Sequence, residues 1–169
     1  MKILNMAVLC AAAVLCVSAG NVISAEKPQA KKEAAVKMSR HPNVELIERY
    51  YAAYGRGDID FLKKNIFAPD IKWTIPGRHP LAKTYHGVDE VVVFFEALKK
   101  GNFKAETYFL EANDNYVVDM HRGWGEAKGH KIDQRWCLVF KIKDGKIVEA
   151  QNFPGDQHEA DAFFNAVYR

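Results

Sequence analysis

The hydrophobic period of this chain changes near Asn102, and that change restricts the fold more than any motif does. Before it, apolar side chains recur at three- and four-residue spacing, as helices packed on one face require. After it, residues 103–112, 116–127, 131–143 and 146–153 read as four β segments. The strings between them, Asn113-Asp114-Asn115, Lys128-Gly129-His130 and Asp144-Gly145, are short and turn-forming, which predicts an antiparallel meander. A last helix is expected over residues 156–168, capped by Asp156, with Ala160, Phe163, Phe164 and Val167 on its apolar side. Helices first and a curved antiparallel sheet afterwards predict an α+β domain.

Within the helical part, Leu46, Ile47, Tyr50, Tyr51 and Tyr54 define a first helix over residues 43–54, ended by Gly55 and Gly57. Asp58 is placed to cap a second, carrying Ile59, Leu62, Ile66 and Phe67, which Pro69-Asp70 should stop. Residues 71–75 alternate as a strand, and residues 76–87, with two Pro and two Gly, are expected as a structured loop. A third helix is expected over about residues 88–100, with Val91, Val92, Phe94, Phe95 and Leu98 as its apolar side.

Strand parity assigns faces. Along residues 131–143, Ile132, Gln134, Trp136, Leu138, Phe140 and Ile142 share one side, expected against the helices. Asp133, Arg135, Cys137, Val139, Lys141 and Lys143 share the other, expected to face solvent or a second subunit. In the preceding segment His121 alternates with Asp119 and Gly123, opposite Tyr116, Val118, Met120 and Trp124, and is expected to point outward.

The three Trp, seven Tyr and ten Phe all lie after residue 49, so the domain is taken as residues 41–169. Ahead of it, Lys2, an apolar run from Ile3 to Ala19 and the small-residue exit Ile23-Ser24-Ala25 read as a signal peptide over residues 1–25, cut after Ala25 or alternatively Ala19. The competing reading is an uncleaved membrane anchor. Residues 26–40 are basic and lack aromatics, which reads as a flexible tether. Cleavage would make the protein periplasmic or secreted, free of the membrane, with Cys137 as its one cysteine.

The net charge of +3 is dispersed and gives no surface for nucleic acid. No P-loop, GxGxxG, CxxC pair, HExxH or GxSxG occurs. The six His, at 41, 79, 86, 121, 130 and 158, show no HxH or HxxxH spacing, so neither a metal site nor a cofactor is expected.

Two strings carry a resemblance. Trp73-Thr-Ile-Pro76-Gly77-Arg-His79-Pro80-Leu81-Ala82, followed by Gly87 opening a Val-Val-Phe-Phe helix, is one. Asp144-Gly-Lys-Ile-Val-Glu149 leading into Asp156-Gln157-His158 is the other. Together they resemble the SnoaL-like branch of the nuclear-transport-factor-2-like superfamily, although Lys83 stands where that pattern has Gly. The resemblance implies a cone-shaped barrel, formed by a bent sheet whose concave side is covered by N-terminal helices, with a ligand pocket at its open end. It also implies a homodimer through the sheet.

Ketosteroid-isomerase-like members place a tyrosine where this chain has Tyr50, but their general-base aspartate falls on Ile75 and their second acid near Trp136 or Leu138. Proton abstraction beside a carbonyl needs a base within reach, so that chemistry loses its support. Asp119, Arg122, Asp133 and Arg135 supply the residue types of the epoxide-hydrolase-like set, but Asp133 and Arg135 have outward parity and suit a cross-strand or intersubunit ion pair. Cyclase-like members use an inward Asp or His, for which His79 and His121 are the candidates.

The residues expected to line the pocket are Tyr50, Tyr54, Trp73, His79, Trp124, Gln134, Trp136 and Asn152, with Tyr50 and His79 as candidates for catalysis. The leading expectation is an exported domain that binds a small, largely apolar molecule. One alternative is a cyclase, hydrolase or isomerase acting on a small apolar carbonyl compound. Another is a protein-interaction module that uses the outer sheet face.

Overall fold

The computed structural model describes residues 40–169; the expected signal peptide and all but the last residue of the tether lie outside the described residues. Helix α1 (Pro42–Arg56) starts where His41 Nδ1 accepts the Asn43 N–H at 3.2 Å and Pro42 presets φ in the first turn. Asp58 accepts the Phe61 N–H at 3.1 Å and caps α2 (Ile59–Phe61), which passes directly into a π-helical turn over Leu62–Ile66.

Strand β1 (Phe67–Ile75) begins at once. Pro69 and Asp70, expected to end a helix, instead lie inside β1, in an irregular stretch between Phe67 and Lys72 that tolerates the missing proline N–H. The expected loop also contains a strand, β2 (Lys83–His86), which pairs antiparallel with β1 and sets Tyr85 opposite Trp73. Helix α3 (Gly87–Leu98) follows, burying Val91, Phe94 and Phe95, and ends in a 3₁₀ turn over Lys99–Gly101.

The meander is present as β3 (Lys104–Ala112), β4 (Tyr116–Ala127), β5 (His130–Lys143) and β6 (Lys146–Pro154). Helix α4 (Gln157–Tyr168) closes the domain, with Asp156 Oδ1 accepting from the His158 and Glu159 N–H groups at 2.8 and 3.0 Å. The sheet order is β2-β1-β6-β5-β4-β3, so the sheet stays open at both edges. One pairing departs from the expected antiparallel pattern. β1 runs parallel to β6, with Trp73 opposite Ala150, and the sheet is therefore mixed. The α+β architecture stands.

The turn between β4 and β5 has two residues where three were expected. Lys128 and Gly129 both have positive φ, 50° and 78°, and Ala127 pairs with His130. The resulting register puts Asp119 opposite Leu138 and His121 opposite Trp136. Val117, Asp119, His121 and Gly123 therefore face the concave side, while Tyr116, Met120 and Trp124 face outward. This reverses the expected orientation of β4.

The concave side is packed at one end and open at the other. Tyr50 sits among Phe67, Trp73, Phe95 and Phe140, with ring centroids 5.8–6.3 Å away. Ile47, Ile71, Val91, Val117 and Ile147 complete this fully buried part. Beyond the aromatic cluster a cavity opens between the helices and the sheet.

Candidate functional site

The cavity holds about 450 Å³ and lies between α1, α3, α4 and the concave face of β1, β3, β4, β5 and β6. Two rows of side chains across the strands form its floor. One runs Asp119–Leu138–Asn152 and the next His121–Trp136–Pro154. Phe94, Phe95, Leu98, Phe103 and Phe164 give the walls an apolar character. The exposed lining residues Gly55, Lys104, Ala105 and Thr107 mark a mouth between the end of α1 and strand β3.

The most unusual group in this lining is Asp119, which is 0% exposed. Its Oδ2 accepts the Tyr51 hydroxyl at 2.5 Å and the His121 Nδ1–H at 2.7 Å. Its Oδ1 is buried with no hydrogen-bond partner among the described residues. A carboxylate in such a place costs stability, and structures retain such groups where a site needs them. With Nδ1 donating to the carboxylate, the neutral form of the His121 ring presents Nε2 as an acceptor. Nε2 has no partner among the described residues, and the His121 side chain, 14% exposed, lines the cavity. The arrangement is a carboxylate behind an imidazole that faces the cavity, the geometry that holds a histidine ready to accept a proton.

Tyr50, Tyr51 and Tyr54 surround this pair from α1. Burial, the nearby Tyr54 phenol and the Asp119 charge push the Tyr50 hydroxyl above its usual range. Burial and Asp119 do the same for Tyr51, and burial with Glu96 for Tyr54. All three remain protonated donors at neutral pH. Tyr50 is 3% exposed and lines the cavity, and its hydroxyl makes no hydrogen bond to a described residue.

Of the expected pocket residues, Tyr50, Tyr54, Trp73, His79, Trp136 and Asn152 line this cavity. The Trp73 indole N–H donates to Asn152 Oδ1 at 3.0 Å. Trp136 lies flat across Gly123, donating Nε1–H to the Gly123 carbonyl at 3.3 Å; a Cβ on Gly123 would come within 2.6 Å of the indole.

Two expected residues are placed elsewhere. Trp124 is on the outer face, under the Arg122 guanidinium at 4.7 Å, because the two-residue turn reverses β4. Gln134 has inward parity but spends its amide on the backbone of Asp156, accepting its N–H at 2.6 Å and donating to its carbonyl at 3.2 Å. It anchors the start of α4. Arg122 also pairs with Asp133 across the strands, its Nε–H and Nη2–H donating to the two carboxylate oxygens at 2.7 and 2.5 Å.

His79 is a clasp. Its Nδ1 accepts the Leu81 N–H at 3.2 Å, which puts the ring proton on Nε2, and Nε2 donates to the Pro76 carbonyl at 3.1 Å. Its ring stacks on Phe164, 4.5 Å between centroids, and burial holds its pKa below the usual histidine value. With both nitrogens committed to backbone, His79 has no lone pair for a substrate.

Sequence reasoning left Asp119 and Tyr51 out of the pocket and turned His121 outward. The signal that finds them is the length of the β4–β5 turn, since a two-residue turn sets odd positions of β4 on the same side as even positions of β5. Among the described residues no group of three His, Cys, Asp or Glu is arranged to hold a metal ion.

The comparisons with known proteins agree with this fold. An uncharacterised protein of Mycobacterium tuberculosis is 29% identical over 131 residues, which cover 75% of this chain and 99% of that one. The structure of Bal32a, from a soil-derived mobile gene cassette, superposes with a TM-score of 0.68 at 28% identity, covering 73% of this chain and 96% of its own. A protein of Jannaschia sp. CCS1 described as a SnoaL-like polyketide cyclase shares the fold, with a TM-score of 0.61 at 17% identity over 76% of this chain and 94% of that one. The SnoaL-like domain family matches residues 47–150, so the chain belongs to that family.

Proposed function

We propose that this SnoaL-like domain takes a small, largely apolar molecule into its cavity and moves a proton on it, with His121 as the base and Asp119 as the residue that positions it. The observation that carries the reading is the buried Asp119 carboxylate, bound through one oxygen to both Tyr51 and His121, with His121 Nε2 open to the cavity. Nε2 takes the proton, and the imidazolium that forms is stabilised by the carboxylate behind it. Tyr50 and Tyr54 are neutral donors available to an oxygen on which charge develops. Two of the fold neighbours are described as polyketide cyclases.

Proton exchange beside the carbonyl of 1-tetralone in heavy water, followed by NMR, tests the reading. The wild-type chain should exceed buffer alone, and His121→Asn should lose the excess. Asp119→Asn should lower the rate and change the ring ¹⁵N shifts of His121 from a single Nδ1–H tautomer to a mixture, which a merely structural role would not do. Binding of 1-tetralone without any acceleration of exchange would leave a binding domain and sink the proton-transfer reading. Export is part of the proposal, and the N-terminal residue of mature protein recovered outside the cytoplasm reads it directly, with Glu26 expected.

A further inference from the structure

The cavity floor carries two unspent hydrogen-bonding groups of opposite kind. At one end, with Nδ1–H committed to Asp119, the neutral form of His121 offers Nε2 as an acceptor. At the other, Asn152 is turned by Trp73. An indole N–H can only donate, so the amide oxygen of Asn152 must face it, and the amide Nδ2 hydrogens are left for the cavity. Asn152 Nδ2 bonds to no described residue and is not sealed in the protein.

The sheet register fixes how these groups stand to each other. His121 is on β4 and Asn152 on β6, both on the concave face, with β5 between them. Two strand spacings, roughly 10 Å, separate their backbones. Between them Trp136 and Leu138 form a flat apolar floor, and Phe94 and Phe95 face it from α3.

We infer that the cavity selects flat, ring-built hydroxy-carbonyl compounds, with the hydroxyl donating to His121 Nε2 and the carbonyl oxygen accepting from Asn152 Nδ2. The inference deepens the proposed function and rests on its reading of the cavity as a ligand site. When ring conjugation joins the two ends, the groups act on one electron system. The hydroxyl proton passes to Nε2, and its bonding pair is delocalised onto the carbonyl oxygen, where the Asn152 N–H bond strengthens. The proton returns to the oxygen on release. A ligand with two acceptors or two donors leaves one end of the site unpaired and is rejected for that reason.

Four bicyclic probes separate the contributions without altering the protein: 6-hydroxy-1-tetralone, 1-tetralone, 5,6,7,8-tetrahydro-2-naphthol and tetralin. Their binding to the 169-residue chain is measured by calorimetry. The compound with both groups should bind about tenfold more tightly than either compound with one. Asn152→Leu should remove the advantage given by the ketone and keep that given by the hydroxyl, and His121→Phe should do the reverse. Asn152→Asp, which still offers Trp73 an acceptor, should also remove the ketone advantage. Binding of all four within about twofold of one another overturns the inference while leaving an apolar ligand site in place. Absence of binding by all four removes the ligand-site reading and the inference with it. The wild-type series decides the matter by itself if a variant fails to fold.

Discussion

Asp119 divides its work unevenly, two donors on Oδ2 and none on Oδ1, and the division predicts what the neighbouring hydroxyls contribute. Tyr51→Phe removes a donor from a buried carboxylate and should cost about 1.5–3 kcal/mol in urea unfolding. Tyr50→Phe removes a hydroxyl that bonds to no described residue, so its cost should be below about 0.5 kcal/mol, although the rings are adjacent, 4.9 Å between centroids. Equal costs would mean that Asp119 does not depend on Tyr51. His79 gives a pH dependence of definite sign. Its folded pKa lies below that of the unfolded chain, so its contribution is complete above about pH 6.5 and is lost as the pH falls through the folded value. Protonating Nδ1 also ejects the Leu81 N–H. Unfolding midpoints measured from pH 8 to pH 5 should fall in the wild type and fall less in His79→Asn, which starts from a lower stability.

The β4–β5 hairpin is where sequence and structure part, and the cause is one residue. Counting His130 into the turn makes even positions of both strands share a face; a turn of Lys128 and Gly129 alone sets odd against even. Both turn residues have positive φ, which glycine accepts freely and lysine does not. Lys128→Asn should therefore stabilise the chain by about 0.5–1 kcal/mol in thermal or urea unfolding. An unchanged or lower stability would show that Lys128 gains something at that position that compensates for its backbone. Elsewhere the elements were legible, because Leu46 to Tyr54, Val91 to Leu98 and the long β segments carry strong periodicity. Tyr50, Trp73, Trp136 and Asn152 were legible as pocket residues for the same reason. Pro69, Asp70 and residues 83–86 were not. A bulged strand start and a four-residue edge strand depend on partners far along the chain, which local pattern does not reveal. Gln134 had the correct side and a role that parity alone cannot show.

Across the whole molecule, the convex face of the sheet bears a row of side chains over four strands, Phe109, Met120, Cys137 and Phe153. Phe109, Met120 and Phe153 are 44–47% exposed. The homodimer implied by the family resemblance is a proposal that this row makes concrete, since two copies pairing face to face would cover it. Sedimentation equilibrium should give twice the mass of the mature chain, and Met120→Lys should reduce it to one without lowering the helix and strand content. A monomeric wild type would leave the row to another partner. The parallel pairing of β1 with β6 bears on a different matter, the order in which the chain acquires its shape. β1 needs Ile147 and Ala150 beside Phe67 and Trp73, and those partners lie far along the chain from it. Until that pairing forms, Phe67, Ile71 and Trp73 have no sheet to join on that side, so folding is slowed by the long loop it must close. A fold built this way is closed by a pairing of long sequence separation, and the rate at which that loop closes sets the pace for the whole domain.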